Sequence, residues 1–268
     1  GGYMTLYSAK EKAVRVVDFA MKSAKGLNRA DYPLTKGRGA DLFNWPAVMD
    51  DRNVSGPYSI AVSGSVAGYA LAMEKYGTRS LAEVIAPAAA LARRGHRVTW
   101  WTTLMCAADM PVLQRNRTTA DTWLPGGFPP VMVADPVPKF LPLGKLADTL
   151  EEIARDGTES FYRGAIAERI AADAERLGCA VRMADLEAYE PEIQEPLSMT
   201  RGEAIYHVPG GLTAGPSFVD ALTDLPAFTG EVPDADTYAA YARTLKASYE
   251  YRLENLGHAG DHGDRSCT

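Results

Sequence analysis

Four stretches of helical length in this chain each run into a glycine, and that punctuation restricts the fold more than any other feature. Residues 63–77 carry Val66, Tyr69, Ala70 and Met73 at helical spacing, with a serine available as N-cap and Gly77 placed to end the helix. Ser80 and Glu83 have the spacing of a capping box and open an alanine-rich run that Gly95 terminates, with Pro87 predicted to kink or delay it. Residues 144–156 place Leu146, Leu150 and Ile153 on one face, and residues 165–177 do the same with Ile166, Ile170 and Leu177. Gly157 and Gly178 then stand at the positions where helices reverse into a left-handed residue.

Strands are shorter and fewer. Residues 4–7 and 13–19 are apolar, β-branched runs separated by the polar stretch 8–12, which predicts a β-hairpin opening a sheet. From 21 to 57 glycine, proline, asparagine and aspartate recur without period, so a long irregular segment is expected, pinned to the body by Phe43 and Trp45. Residues 204–208 read as a strand, after which Pro209-Gly210-Gly211 turns into a helix with Pro216 in its first turn. A last helix is expected over 236–256, with Tyr238, Tyr241, Leu245, Tyr249 and Leu253 along one stripe, followed by a flexible polar linker, 257–268. The pattern is mixed α and β with several amphipathic helices, read as a single domain over 1–268.

Composition removes several functions. The net charge is −6, without a basic stripe, so nucleic acid is not expected as a partner. No window is long and apolar enough for a membrane span. Cys106, Cys179 and Cys267 are odd in number and widely spaced, which fits free thiols in a reducing compartment better than disulfides or a zinc site. That tilts the location toward the cytoplasm. The opening Gly-Gly-Tyr-Met-Thr-Leu-Tyr has no initiator methionine, the natural N-terminus is expected to be missing, and a periplasmic location stays open.

The glycine-rich Gly64-Ser65-Val66-Ala67-Gly68 lacks the lysine of a phosphate loop and the full dinucleotide pattern, so close helix packing is preferred and no cofactor is expected. His258, Asp261, His262 and Asp264 lie close together, but Gly257, Gly260 and Gly263 make a helical metal site improbable, and no metal is expected. His96 and His207 stand beside apolar neighbours and read as structural.

Several segments in order resemble the γ-glutamyltranspeptidase family of N-terminal-nucleophile hydrolases. They are the glycine-led hairpin ending in Val17-Asp18-Phe19, residues 59–68, Tyr76-Gly77-Thr78, residues 81–88, Gly95-His96-Arg97-Val98 and residues 146–150. Phe161-Tyr162-Arg163-Gly164, Asp185-Leu186-Glu187-Ala188-Tyr189 and Glu195-Pro196-Leu197 follow. The resemblance implies a four-layer αββα sandwich shared between a large and a small subunit of one precursor, of which this chain is most of the large one.

It also implies self-cleavage between Cys267 and Thr268, with Thr268 then serving as nucleophile and its freed amine as base. The small subunit of the same precursor would be the partner and supply the oxyanion donors, and a γ-glutamyl or related amide would be the substrate. Where the family carries an arginine that holds the donor α-carboxylate, this chain has Ala20, and Lys22 is a weak substitute. The family's proline- and serine-rich loop is also altered, to residues 208–215. Two alternatives stay open: an amidohydrolase of the same fold acting on a non-glutamyl amide, and a catalytically inactive homologue or fragment serving as an interaction module.

Overall fold

The structure, a computed structural model, describes residues 1–39, 45–132, 138–226, 230 and 232–255. It is α+β and divides into two compact units, Gly1–Ala20 with Pro191–Thr268, and Met21–Glu190. The first twenty residues thus group with the chain from Pro191 onward.

In the first unit the predicted hairpin forms, with Tyr3–Ser8 antiparallel to Ala13–Asp18 from Tyr3↔Asp18 to Ser8↔Ala13. Glu192–Gln194 pairs with the other edge of the second strand, giving a three-stranded sheet. Val16 and Val17 are both fully buried, so this middle strand is covered on both faces. A second hairpin joins Leu197–Arg201 to Ala204–Val208 through a two-residue turn, where Gly202 takes φ +60 and the strands pair from Arg201↔Ala204 outward. A positive φ at the first turn residue only is the type II′ geometry that matches strand twist. The Arg201 guanidinium donates to the carbonyls of Leu222 and Leu225, closing the C-terminus of helix Gly215–Asp224 against this hairpin.

The long helix spans Ala235–Asn255 and is capped by Asp234, whose carboxylate accepts from the Thr237 N–H at 2.8 Å. Its predicted apolar stripe is not its packed face: Tyr238, Leu245 and Tyr249 are exposed, and Ser248 is its buried residue. Hydrogen bonds decide this. The Ser248 hydroxyl donates to the Ser217 carbonyl at 3.0 Å, and Arg252 donates to the Thr213 carbonyl at 2.7 Å.

The second unit is mainly helical. Helix Ser65–Tyr76 ends at Gly77 as expected, but Gly64 rather than a serine precedes it and makes no side-chain cap. The buried Tyr162 supplies the missing cap from a distance: its hydroxyl accepts from the Ala67 N–H at 3.2 Å and donates to the Ser63 carbonyl at 2.9 Å. Just before Gly64 the chain makes an isolated antiparallel bridge, Val62 to Lys22. Gly64 and Gly68 are buried, consistent with close packing there.

The Ser80–Glu83 capping box forms, and helix Leu81–Arg94 starts at once and continues through Pro87. Pro87 lies on the exposed face, where water can take the Glu83 carbonyl left unpaired by the missing N–H. The opposite face, with Ala89 and Ala92 buried, packs against helix Leu146–Asp156, and Arg93 bridges Asp148 and Glu151 at 2.6 and 2.8 Å. On that second helix the buried positions are Ala147 and Ile153, while Leu146 is exposed. Helix Ala165–Arg176 buries Ile166, Ala167 and Ala174, and Gly157 and Gly178 take φ +75 and +74.

Two regions depart from the sequence reading. The segment 21–57 contains a short ladder, Leu34–Arg38 with Pro46–Val48, and two 3-10 turns, Arg29–Asp31 and Met49–Asp51. Every residue of Leu34–Arg38 is exposed, so no alternation marks it in the sequence. Trp45 is 42% exposed, and Ala24 joins the buried cluster with Val62, Tyr162, Leu186 and Tyr189. Phe43 lies outside the described residues. Between Gly95 and residue 140, where no element was expected, helices Trp100–Ala108, Met110–Leu113 and Arg117–Trp123 form.

Tyr162→Phe in the complete protein is expected to lower stability by about 1–2 kcal/mol, since it removes the partner of a partly buried N–H and carbonyl. Burial pushes the Tyr162 phenol above its ordinary 10.0, so the unfolded chain ionises first. The wild type should hold its stability below pH about 10 and lose some as pH rises beyond it, and the phenylalanine variant should lose less. Denaturant titrations at several pH values measure both effects. Gly95→Ala should cost more than about 1 kcal/mol, because φ is +95 and a Cβ would meet the Leu141 carbonyl.

Candidate functional site

The first hairpin carries its second strand into Asp18-Phe19, and both ends of that pair are held. Gly2 and Phe19 exchange backbone hydrogen bonds at 3.1 and 3.0 Å, and a Cβ on Gly2 would stand 3.3 Å from the Phe19 ring, which accounts for the glycine there. The Asp18 carboxylate accepts from the Ala20 N–H at 2.9 Å and from the Gln194 side-chain amide at 3.2 Å. The first bond makes an Asx turn, so one carboxylate ends the strand and sets the direction of residue 20. Across the ladder, burial and then the Asp18 charge raise the Tyr3 phenol above its ordinary value. Residue 20 itself contributes a half-buried methyl and no cation.

Lys22 is the second residue of the other unit, and its ammonium is engaged. It donates to the Glu190 carbonyl at 2.9 Å and lies 5.1 Å from the centroid of the Tyr189 ring, which stacks on Tyr162 at 5.6 Å. Its backbone exchanges hydrogen bonds with Val62 at 3.3 and 2.9 Å. Close by, the buried Asp185 carboxylate accepts from the backbone N–H groups of Lys25 and Arg182, each at 2.9 Å. The aspartate and tyrosine of residues 185–189 thus hold the start of the segment after residue 20. Sequence reasoning missed this set, because the partners are separated by up to 168 residues and none stands in a periodic pattern.

The altered loop after strand Ala204–Val208 is organised by its own hydroxyl. Thr213 donates to the Pro209 carbonyl at 2.8 Å and accepts from the Gly215 N–H at 3.0 Å, while Arg252 donates to Ser217 at 3.2 Å. A Cβ on Gly215 would collide with the Pro209 carbonyl, and Pro216 sits in the first turn of the helix as expected.

His207 Nδ1 pairs with the Ser198 hydroxyl at 2.7 Å across its hairpin, and His96 Nε2 with Thr102 at 3.0 Å. Cys106 and Cys179 are free and buried, and burial followed by Asp109 pushes the Cys106 thiol up. Among the described residues no cluster of metal-binding side chains occurs and no helix is long and apolar enough to cross a membrane. Thr268, Cys267, His258, Asp261, His262 and Asp264 lie outside the described residues.

Residues 1–265 match the Gamma-glutamyltranspeptidase family. The chain belongs to that family. It is 33% identical over 200 residues to the glutathione hydrolase proenzyme of Escherichia coli strain K12, covering 72% of this chain and 33% of that protein. It is 31% identical over 207 residues to the Acylase ACY 1 proenzyme of Pseudomonas sp. strain V22, covering 76% of this chain and 36% of that protein. The chain therefore spans about a third of these curated relatives, roughly the large-subunit portion of its homologues. The Helicobacter pylori γ-glutamyltranspeptidase structure shares the fold, with a TM-score of 0.79 at 21% identity over 97% of this chain and 71% of that one.

If Lys22 serves the fold through Glu190 and Tyr189, Lys22→Met in the complete protein should leave the Michaelis constant within about twofold and lower stability by no more than about 1 kcal/mol. Steady-state kinetics and thermal unfolding check both.

Proposed function

We propose that this chain is the large-subunit portion of a precursor that cleaves itself before Thr268, and that Thr268 then attacks an amide whose acyl part is not held through an α-carboxylate. Family membership and the proenzyme relatives support the first half. The second rests on one observation: residue 20 is alanine, and the neighbouring cation, Lys22, is committed to the Glu190 carbonyl and the Tyr189 ring. Likeness to an acylase proenzyme is consistent with it.

In the maturation step the Thr268 hydroxyl adds to the Cys267 carbonyl, and the peptide nitrogen leaves as the threonine amine. Water hydrolyses the resulting ester, leaving a carboxylate on Cys267 and a free α-amine on Thr268. That amine, ordinarily titrating at about 8, can take the hydroxyl proton near neutral pH. In turnover the hydroxyl adds to the substrate carbonyl, the leaving amine departs with the proton, and water or an acceptor amine removes the acyl group from the ester. Donors to the oxyanion would come from downstream residues. In this reading the three-stranded sheet is the large-subunit share of an αββα sandwich, its Tyr3–Ser8 and Glu192–Gln194 edges continued by the small subunit.

A γ-glutamyl donor is the second reading, favoured by likeness to a glutathione hydrolase proenzyme. The processed enzyme separates the two when given γ-glutamyl-p-nitroanilide and butyryl-p-nitroanilide, which lacks both α-substituents. The proposal expects kcat/KM at least about tenfold higher for the butyryl compound. It expects Ala20→Arg to raise the γ-glutamyl value about tenfold or more, the effect of one charge-assisted bidentate contact. Preference of the wild type for the γ-glutamyl compound would contradict it.

A further inference from the structure

The Trp100–Ala108 helix is apolar nearly all round, which ordinarily marks a buried helix, yet only Thr102 and Cys106 are buried. Those two anchor it, four residues apart on one face. Trp100 and Trp101 are 63% and 54% exposed, packed edge to face at 5.5 Å, and Leu104 and Met105 are exposed beside them. The Thr103 hydroxyl donates to the Pro130 carbonyl at 2.8 Å and accepts from the Met132 N–H at 3.1 Å, so exposed Val131 and Met132 extend the same surface. Between Arg97 and Arg115 the sequence has one charged residue, Asp109.

The entry to this helix is basic in a chain of net charge −6: Arg97 pairs with Phe140 in a short ladder and the Arg94 guanidinium lies 5.1 Å from the centroid of the Phe140 ring. The Lys139 carbonyl accepts from the Val98 N–H at 2.9 Å, which puts this lysine at the helix's entry. Exposed indoles with basic neighbours are the composition of a surface that lies in a lipid headgroup layer. A two-fold pairing with a second copy would set the basic rims against each other.

We propose that this face, built on Trp100, Trp101 and Leu104 with Val131 and Met132, docks the protein on an anionic lipid surface. The complete processed protein should sediment with phosphatidylcholine vesicles containing phosphatidylglycerol, less with phosphatidylcholine alone, and less as salt rises. Indole emission should shift to the blue on addition of the anionic vesicles. The Trp100→Ala/Trp101→Ala variant, altered only at exposed side chains, should keep its fold by circular dichroism and lose both signals. Lys139→Glu should weaken sedimentation at least about fivefold. Absence of vesicle binding by the wild type, or binding unchanged in the double variant, would overturn the proposal. So would a wild-type dimer that the double variant dissociates, which would assign the face to a second copy.

Discussion

The hydroxyl of Tyr162 is the point through which the helical unit is tied together. It closes a circuit: Tyr162 caps the start of helix Ser65–Tyr76 at Ser63 and Ala67, Val62 just before them pairs with Lys22, the Lys22 ammonium rests over Tyr189, and Tyr189 stacks back on Tyr162. Each link is modest, about 0.5–1.5 kcal/mol net for a hydrogen bond of this kind. Their closure into a ring makes them conditional on one another, because loss of the hydroxyl would leave partly buried backbone groups without partners.

Within the first unit the strand ends at Asp18, whose carboxylate accepts from the Ala20 N–H and so fixes the direction of residue 20. The methyl of Ala20 presents nothing to a carboxylate. Lys22 shows why charge near a site is a poor guide by itself, since its donor is already spent on a main-chain carbonyl.

What was legible in the sequence was local. The Ser80–Glu83 box, the reversals at Gly157 and Gly178, the first hairpin and the Pro216 helix start all depend on residues within a turn of each other, and all formed. What failed depended on distant partners. The tyrosine stripe of the last helix gave way to a face that hydrogen-bonds through Ser248 and Arg252 to residues 213–217. The helix at Trp100 went unseen because its outer face carries none of the polar residues that give a surface helix its period. For the candidate site, Asp18 and Ala20 were visible through family resemblance, but the roles of Gln194, Tyr189 and Glu190 follow only from the fold.

The account depends most on Thr268 becoming an N-terminal residue. Intact-mass analysis of the full-length precursor, wild type beside Thr268→Ala, tests this directly. Two fragments divided between Cys267 and Thr268 in the wild type, and one uncut, folded chain in the variant, are the predicted result. An uncut, folded chain in both would contradict it and leave a member of the family that has kept the fold without the chemistry.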